Sequence, residues 1–240
     1  MKTMIITGAS SGLGKTLTEY FAKKNYAVCA LARSEDKLAE IAKTYPKNIF
    51  PYSCDVSKSQ QVKDVFAKIA DEHDQIDVLI NNAGIFQQEK KFLECDWSCI
   101  ESTIDINLKG TMYCCYAAAE DMIKRKDGKI INIVSRGGVI GNASGPTKEG
   151  VPMRLGDYVA SKHGVMGFAH AFGRELLPRG VFMTSLCPGG INTPMAAEWG
   201  IPPEELIQPE QIADLIDFIL KQKKNILFKN MLFIPPHEWH

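Results

Sequence analysis

Short apolar runs alternate along this chain with longer segments whose apolar residues recur every three or four positions. The runs occupy residues 4–7 (MIIT), 27–32 (AVCALA), 48–54 (NIFPYSC), 76–80 (IDVLI), 129–134 (KIINIV), 181–187 (VFMTSLC) and 231–234 (MLFI). Runs this short, continuous rather than alternating, predict strands buried on both faces. The segments between them carry a helical period at 15–25, 34–45, 57–73, 96–126, 157–177 and 209–222. Ser34 is placed to cap the second of these, with Glu35 and Asp36 in a first turn whose dipole favours anions. The long helix at 96–126 meets an interruption near Gly110. Strand–helix repetition of this kind calls for an α/β fold, a parallel sheet of about seven strands covered by helices on both faces. No linker, repeat or low-complexity tract divides residues 1–240, so one domain is expected.

Lys plus Arg and Asp plus Glu both number 28, a formal net charge of zero. That balance lacks the electrostatic signature of a nucleic-acid or anionic-membrane partner. No apolar run approaches the roughly 18 residues of a membrane-spanning helix. The N-terminal MKTMIITG enters a strand without the pattern of a secretion signal, which predicts a cytoplasmic protein. Seven cysteines with no C-x-x-C pair predict buried or neutral thiols in a reducing compartment, and no metal site. Cys95 and Cys99 share helical spacing, but no histidine cluster accompanies them.

The first strand runs into TGASSGLG (7–14), which opens the first helix. Gly8, Gly12 and Gly14 suit a tight strand-to-helix turn that a diphosphate approaches closely, with free N–H groups at the helix start to meet it. The second strand ends at Ala32 and Arg33, where a dinucleotide fold reading a free ribose 2′-hydroxyl places an acid. A planar, permanently charged guanidinium there suits a 2′-phosphate, with Ser11 as a further hydroxyl donor, and favours NADP(H) over NAD(H). Lys15 is a weaker basic candidate in the same turn.

Further motifs follow in order: Asp55-Val56, NNAG (81–84), INLKG (106–110), IINIVS (130–135), YVASK (158–162) and CPGGINTP (187–194). Taken together with TGASSGLG, this ordered set resembles the short-chain dehydrogenase/reductase family from residue 7 to residue 194. The resemblance implies a Rossmann-type doubly wound domain. It implies that Gly8, Ser10, Ser11, Gly12, Leu13 and Gly14 cradle the cofactor. Asp55 and Val56 would meet adenine, and Asn82, Ala83 and Gly84 would pack under the adenosine ribose. Pro188, Gly189, Ile191 and Thr193 would meet the nicotinamide carboxamide. Tyr158 would be the acid/base, Lys162 its partner and a ribose ligand, Ser135 the carbonyl anchor, and Asn107 the holder of a relay water. Helices 96–126 and 157–177 would pair subunits into a homodimer or homotetramer.

The chemistry behind those roles is simple. Hydride transfer to a carbonyl leaves an alkoxide that needs a proton; a phenol of pKa about 10 holds one at neutrality. An ammonium four residues on shares its helix face and is expected to lower that pKa. A serine hydroxyl supplies a neutral donor at the developing oxyanion. One departure from the family pattern stands out: Ser135 and Tyr158 are separated by an unusually long Gly- and Pro-containing segment, which also holds Ser144. Ser135 is preferred because it directly follows a strand. Substrate loops are expected at about 136–157 and 190–207. Arg136 and Arg154 are candidates for an anionic substrate, while Met195, Ala196 and Trp199 offer an apolar face. The expected activity is hydride exchange between nicotinamide and a ketone, aldehyde or secondary alcohol. Two rivals are a catalytically silent NADP(H)-sensing protein and an epimerase or dehydratase with tightly held NAD. Retention of both Tyr158 and Lys162 argues against the first, and the short C-terminal region against the second.

Overall fold

The structure, a computed structural model, describes residues 1–86, 96–140, 156–197 and 199–238. Among the described residues seven strands are present: β1 (Thr3–Thr7), β2 (Ala27–Ala32), β3 (Ile49–Ser53), β4 (Val78–Asn81), β5 (Gly128–Ile133), β6 (Val181–Pro188) and β7 (Asn230–Phe233). All pair in parallel, in the order β3-β2-β1-β4-β5-β6-β7. The helices are α1 (Gly12–Lys23), α2 (Glu35–Thr44), α3 (Ser59–His73), α4 (Trp97–Ile104), α5 (Thr111–Arg125), α6 (Gly156–Leu176) and α7 (Pro209–Lys221). This is the doubly wound sheet that the alternating pattern predicts.

The strands read as unbroken apolar runs because each of their faces meets a helical layer. Met4 and Ile6 of β1 and Val28 and Ala30 of β2 pack against α1, α2 and α7, through Leu17, Phe21, Leu38 and Ile216. The intervening Ile5, Cys29 and Leu31 face α3, α5 and α6, through Phe66, Ile69, Cys115, Met122 and Leu176. Pro51 interrupts an otherwise ordinary strand, and it is tolerated because β3 lies at the sheet edge.

The long helix is interrupted, but by a widened turn: Asp105–Gly110 is π-helical and joins α4 to α5. Two contacts explain it. The Asn107 side chain exchanges hydrogen bonds with Ile85, and Gly110 lies so close to Val56 that a Cβ would come within 2.8 Å of Cγ2. Both pull this turn toward the ends of β3 and β4.

From β1 the chain builds outward on one side to β2 and β3, then crosses back to β4 and builds out the other way. Loops leaving the carboxyl ends of β1 and β4 therefore diverge, and a crevice opens between them. Open α/β sheets bind ligands at this position.

Candidate active site

A cleft of about 800 Å³ fills that crevice. Its near wall is the β1–α1 turn. Gly8 has a φ of +67°, open to glycine at no steric cost. Gly14 seats the first turn of α1 against the sheet, where a Cβ would fall 2.1 Å from the Gly8 carbonyl oxygen and 2.5 Å from Asn82 Nδ2. Asn82 fixes the same turn from β4: its Nδ2 donates to the carbonyls of Thr7 and Gly8. The backbone N–H groups of Asn82 and Ala83 both donate to Thr7 Oγ1. Ser11 caps α1 by position, yet its hydroxyl makes no capping bond and stays exposed at the cleft. Gly14→Ala should therefore destabilise the protein by about 1–3 kcal/mol through overpacking. A drop in Tm together with loss of nucleotide affinity would show it; an unshifted melt would refute the close packing.

One end of the cleft is basic. Arg33 is exposed at the end of β2, and Lys37, one turn into α2, lines the same cleft with Ser34. Ser34 is the N-cap position of α2 and has Glu35 and Asp36 after it, as expected, though its side chain makes no capping bond. Lys15 stands apart, facing Glu19 at 4.0 Å and not the cleft. Asp55 is held at the wall by accepting from the backbone N–H and the hydroxyl of Ser57, beside Val56.

The other end carries the candidate chemistry. Tyr158 and Lys162 lie on α6, with Lys162 Nζ 5.6 Å from the Tyr158 ring centroid. Ser135 follows β5, and its Oγ accepts from the Gly137 N–H at 3.1 Å. That bond leaves the Ser135 proton free to donate. Ser135 and Tyr158 face the same end of the cleft. Burial pushes the Tyr158 phenol above its ordinary 10.0, and the Ser135 hydroxyl offsets part of the rise. The lowering expected from Lys162 is thus not seen. The ammonium points instead at the Ile133 carbonyl, 3.1 Å away. Burial brings Lys162 itself down to about 8, against a small opposing effect of the Cys187 thiol.

That depression has a stability consequence. Between about pH 8 and 10.5 the unfolded chain binds the Lys162 proton and the folded one does not, so the folded state gains as pH rises through this window. The Tm of wild type minus that of Lys162→Met should become more favourable to wild type from pH 8 to 10. A flat difference would mean that Lys162 is not desolvated.

Apart from Lys15, every residue that the sequence nominates for the cofactor lines this cleft: Gly8, Ser10, Ser11, Gly12, Leu13, Gly14, Arg33, Asp55, Val56, Asn82, Ala83, Gly84, Tyr158, Lys162, Pro188, Gly189, Ile191 and Thr193. Ser135 does too. Asn107 does not. It is fully buried behind the wall, and both amide hydrogens are engaged, by the Ile85 carbonyl at 3.0 Å and Ser161 Oγ at 3.1 Å. Its side chain is therefore an anchor rather than a free water ligand. Arg136 also departs from expectation, being buried and paired with Glu238 rather than open to an anionic substrate. Ser144, Arg154, Cys95 and most of the 136–157 loop lie outside the described residues. In the second loop, Met195 and Trp199 line the cleft, while Ala196 is buried beneath them.

Sequence reasoning missed Lys37, Phe86 and Glu238. Lys37 stands in the first turn of α2, just beyond Arg33 and the Ser34 cap, a position legible from the sequence. Phe86 packs 4.9 Å from the Tyr158 ring and 6.4 Å from Trp199, a contact with no local signal.

Comparison with known proteins places this arrangement. A family model described as short chain dehydrogenase matches residues 2–203. The 3-oxoacyl-(acyl-carrier-protein) reductase FabG of Thermotoga maritima is 33% identical over 239 residues, which cover 93% of this chain and 92% of that relative. Carbonyl reductase family member 4 of Xenopus laevis is 30% identical, covering 92% of this chain and 91% of its own length. An alcohol dehydrogenase from the archaeon Thermococcus sibiricus, solved in complex with 5-hydroxy-NADP, superposes with a TM-score of 0.86 at 25% identity, covering 100% of this chain and 99% of that one.

Proposed function

Since this chain belongs to the short-chain dehydrogenase family of oxidoreductases, we propose that it is an NADP(H)-dependent enzyme exchanging hydride with a ketone, aldehyde or secondary alcohol. The observation that carries this reading is one continuous cleft: it joins the glycine turn and basic Arg33 at one end to Ser135, Tyr158 and Lys162 at the other. The residues present fit a dinucleotide. Gly14 keeps the α1 start close to the sheet, Ser11 offers an uncommitted hydroxyl, and no acid ends β2. When bound, the nicotinamide supplies or takes the hydride.

The protein's own part is positional and protonic. Ser135 Oγ, already accepting from Gly137, donates to the carbonyl oxygen and stabilises the charge that grows there. Tyr158, with its pKa above 10, keeps its proton at neutral pH and passes it to the far more basic alkoxide; in the reverse direction its phenolate takes the proton back. Lys162, whose Nζ now donates to the Ile133 carbonyl, would hold the ribose hydroxyls of a bound cofactor. Asn107 holds the Ile85 segment against α6, so it positions rather than reacts. Phe86, Met195 and Trp199 give the reacting end an apolar wall, which favours a compact uncharged substrate over an anionic one.

A screen of carbonyls and alcohols against NADPH and NADH, followed by nicotinamide absorbance, tests the reading. Turnover with neither cofactor across the panel would favour a silent NADP(H)-sensing protein. We further assign the chain to the cytoplasm, where a reducing environment suits its six described cysteines, all free thiols. It assembles as a homodimer or homotetramer through α4, α5 and α6; on the first two of these, Trp97 and Tyr116 are 83% and 64% exposed. Light scattering should return a multiple of the 26.6 kDa chain mass, and a monomer would refute it.

A further inference from the structure

The reacting end of the cleft is closed from behind by a residue of the C-terminal segment. Glu238 is 8% exposed and Arg136, which follows Ser135, is 5% exposed. Arg136 Nη1 lies 3.2 Å from Glu238 Oε2 and donates to the Glu238 backbone carbonyl at 3.1 Å. The other carboxylate oxygen, Oε1, accepts from the Gly190 N–H at 2.9 Å. The packing leaves no room for side chains at the neighbouring glycines. A Cβ on Gly189 would fall 2.3 Å from Glu238 Oε2, and one on Gly190 would fall 2.9 Å from Oε1. Glu238 and Arg136 both line the cleft.

One carboxylate thus touches two loops that leave neighbouring strands at the reacting end of the cleft. The first carries Ser135, whose turn continues through Arg136–Gly138. The second is the 188–193 segment, which holds Ile191 and Thr193 at the cleft. The sheet pairs β5 with β6 as far as Ile133 and Leu186, with the Val134 N–H donating to the Leu186 carbonyl; beyond those strand ends the two loops are tied through Glu238. The tie is made across 102 residues.

We propose that Glu238 is a positioning residue for the reaction, fixing the Ser135 turn and the Gly189–Thr193 loop relative to each other so that the carbonyl anchor and the nicotinamide end of the cofactor meet in working geometry. The inference rests on the hydride-transfer reading above. Glu238→Gln keeps an acceptor for Gly190 but removes the negative charge that faces Arg136. A misplacement of about 1 Å at a reacting centre costs on the order of 100-fold in rate.

The test compares two nucleotides on the full chain. NADPH reaches both ends of the cleft, whereas 2′,5′-ADP carries only the adenosine half. Glu238→Gln should lower kcat by roughly 10- to 100-fold and weaken NADPH, with 2′,5′-ADP affinity unchanged. Glu238→Asp, which retains the charge, should recover part of kcat; it also carries the test alone if the Gln variant does not fold. In a chain that prefers NADH, NADH and 5′-AMP replace the pair. Wild-type kcat and NADPH affinity in the variant would overturn the proposal, as would equal weakening of both nucleotides. A wild-type chain that turns over no carbonyl would overturn the hydride-transfer reading, and the ratio of the two affinities would still judge Glu238.

Discussion

Carbonyl reduction should fall by about 10²–10⁴-fold when Tyr158 is replaced by Phe, the range a positioned general acid supplies, while NADPH affinity stays close to that of wild type. The substitution removes one oxygen and little else. The ring keeps its contact with Phe86 at 4.9 Å, and the α6 backbone that presents Lys162 is untouched. What disappears is a hydroxyl that lines the cleft with Ser135 and is raised by burial into a reliable proton donor. Initial rates with a responsive carbonyl, set beside a fluorescence titration of NADPH, separate the two effects. Wild-type turnover in the variant would exclude Tyr158 as the acid. If rate and NADPH affinity fell together, Tyr158 would be binding rather than donating.

Arg33→Asp should reverse the cofactor preference. Hydrogen bonds to charged groups are worth about 1.5–3 kcal/mol, so loss of the guanidinium weakens NADPH by roughly 10- to 100-fold. The new carboxylate also repels a 2′-phosphate and accepts from a free 2′-hydroxyl, as the acid at this position does in NAD-binding folds. Both effects move kcat/KM for NADPH and NADH in opposite directions. Lys37 remains nearby and retains part of the attraction. An unchanged ratio of the two kcat/KM values would show that the 2′-position is read elsewhere in the cleft, with Lys37→Glu as the next variant to measure.

What the chain discloses before folding follows the range of the interactions concerned. Strands and helices were legible because burial on two faces writes a local pattern: β1, β2 and β6 are near-continuous apolar runs, and α3 repeats Val62, Phe66 and Ile69 toward the sheet. The cleft residues were legible because each sits just after a strand or in a first helical turn, as Arg33, Ser135 and Gly14 do. Three features were not. The widening at Asp105–Gly110 depends on Asn107 meeting Ile85, 22 residues earlier. The direction of the Tyr158 shift depends on how deeply α6 sinks against the sheet, which the spacing of Tyr and Lys does not encode. Arg136 looked like an anion site because its partner lies far along the chain at Glu238.

The neighbourhood of β1 and β4 also bears on how the chain comes to be folded at all. Met4 pairs with Val78, so the crevice has no floor until a long intervening segment has been brought home. Contacts of such separation form slowly. Partly folded chains with β1 through β3 in place therefore lack a complete nucleotide site, and a dinucleotide distinguishes finished molecules from unfinished ones. By mass action, a ligand at a hundred times its Kd adds about 2.7 kcal/mol to the finished state alone, so abundance of this protein in a cell would track the supply of its cofactor.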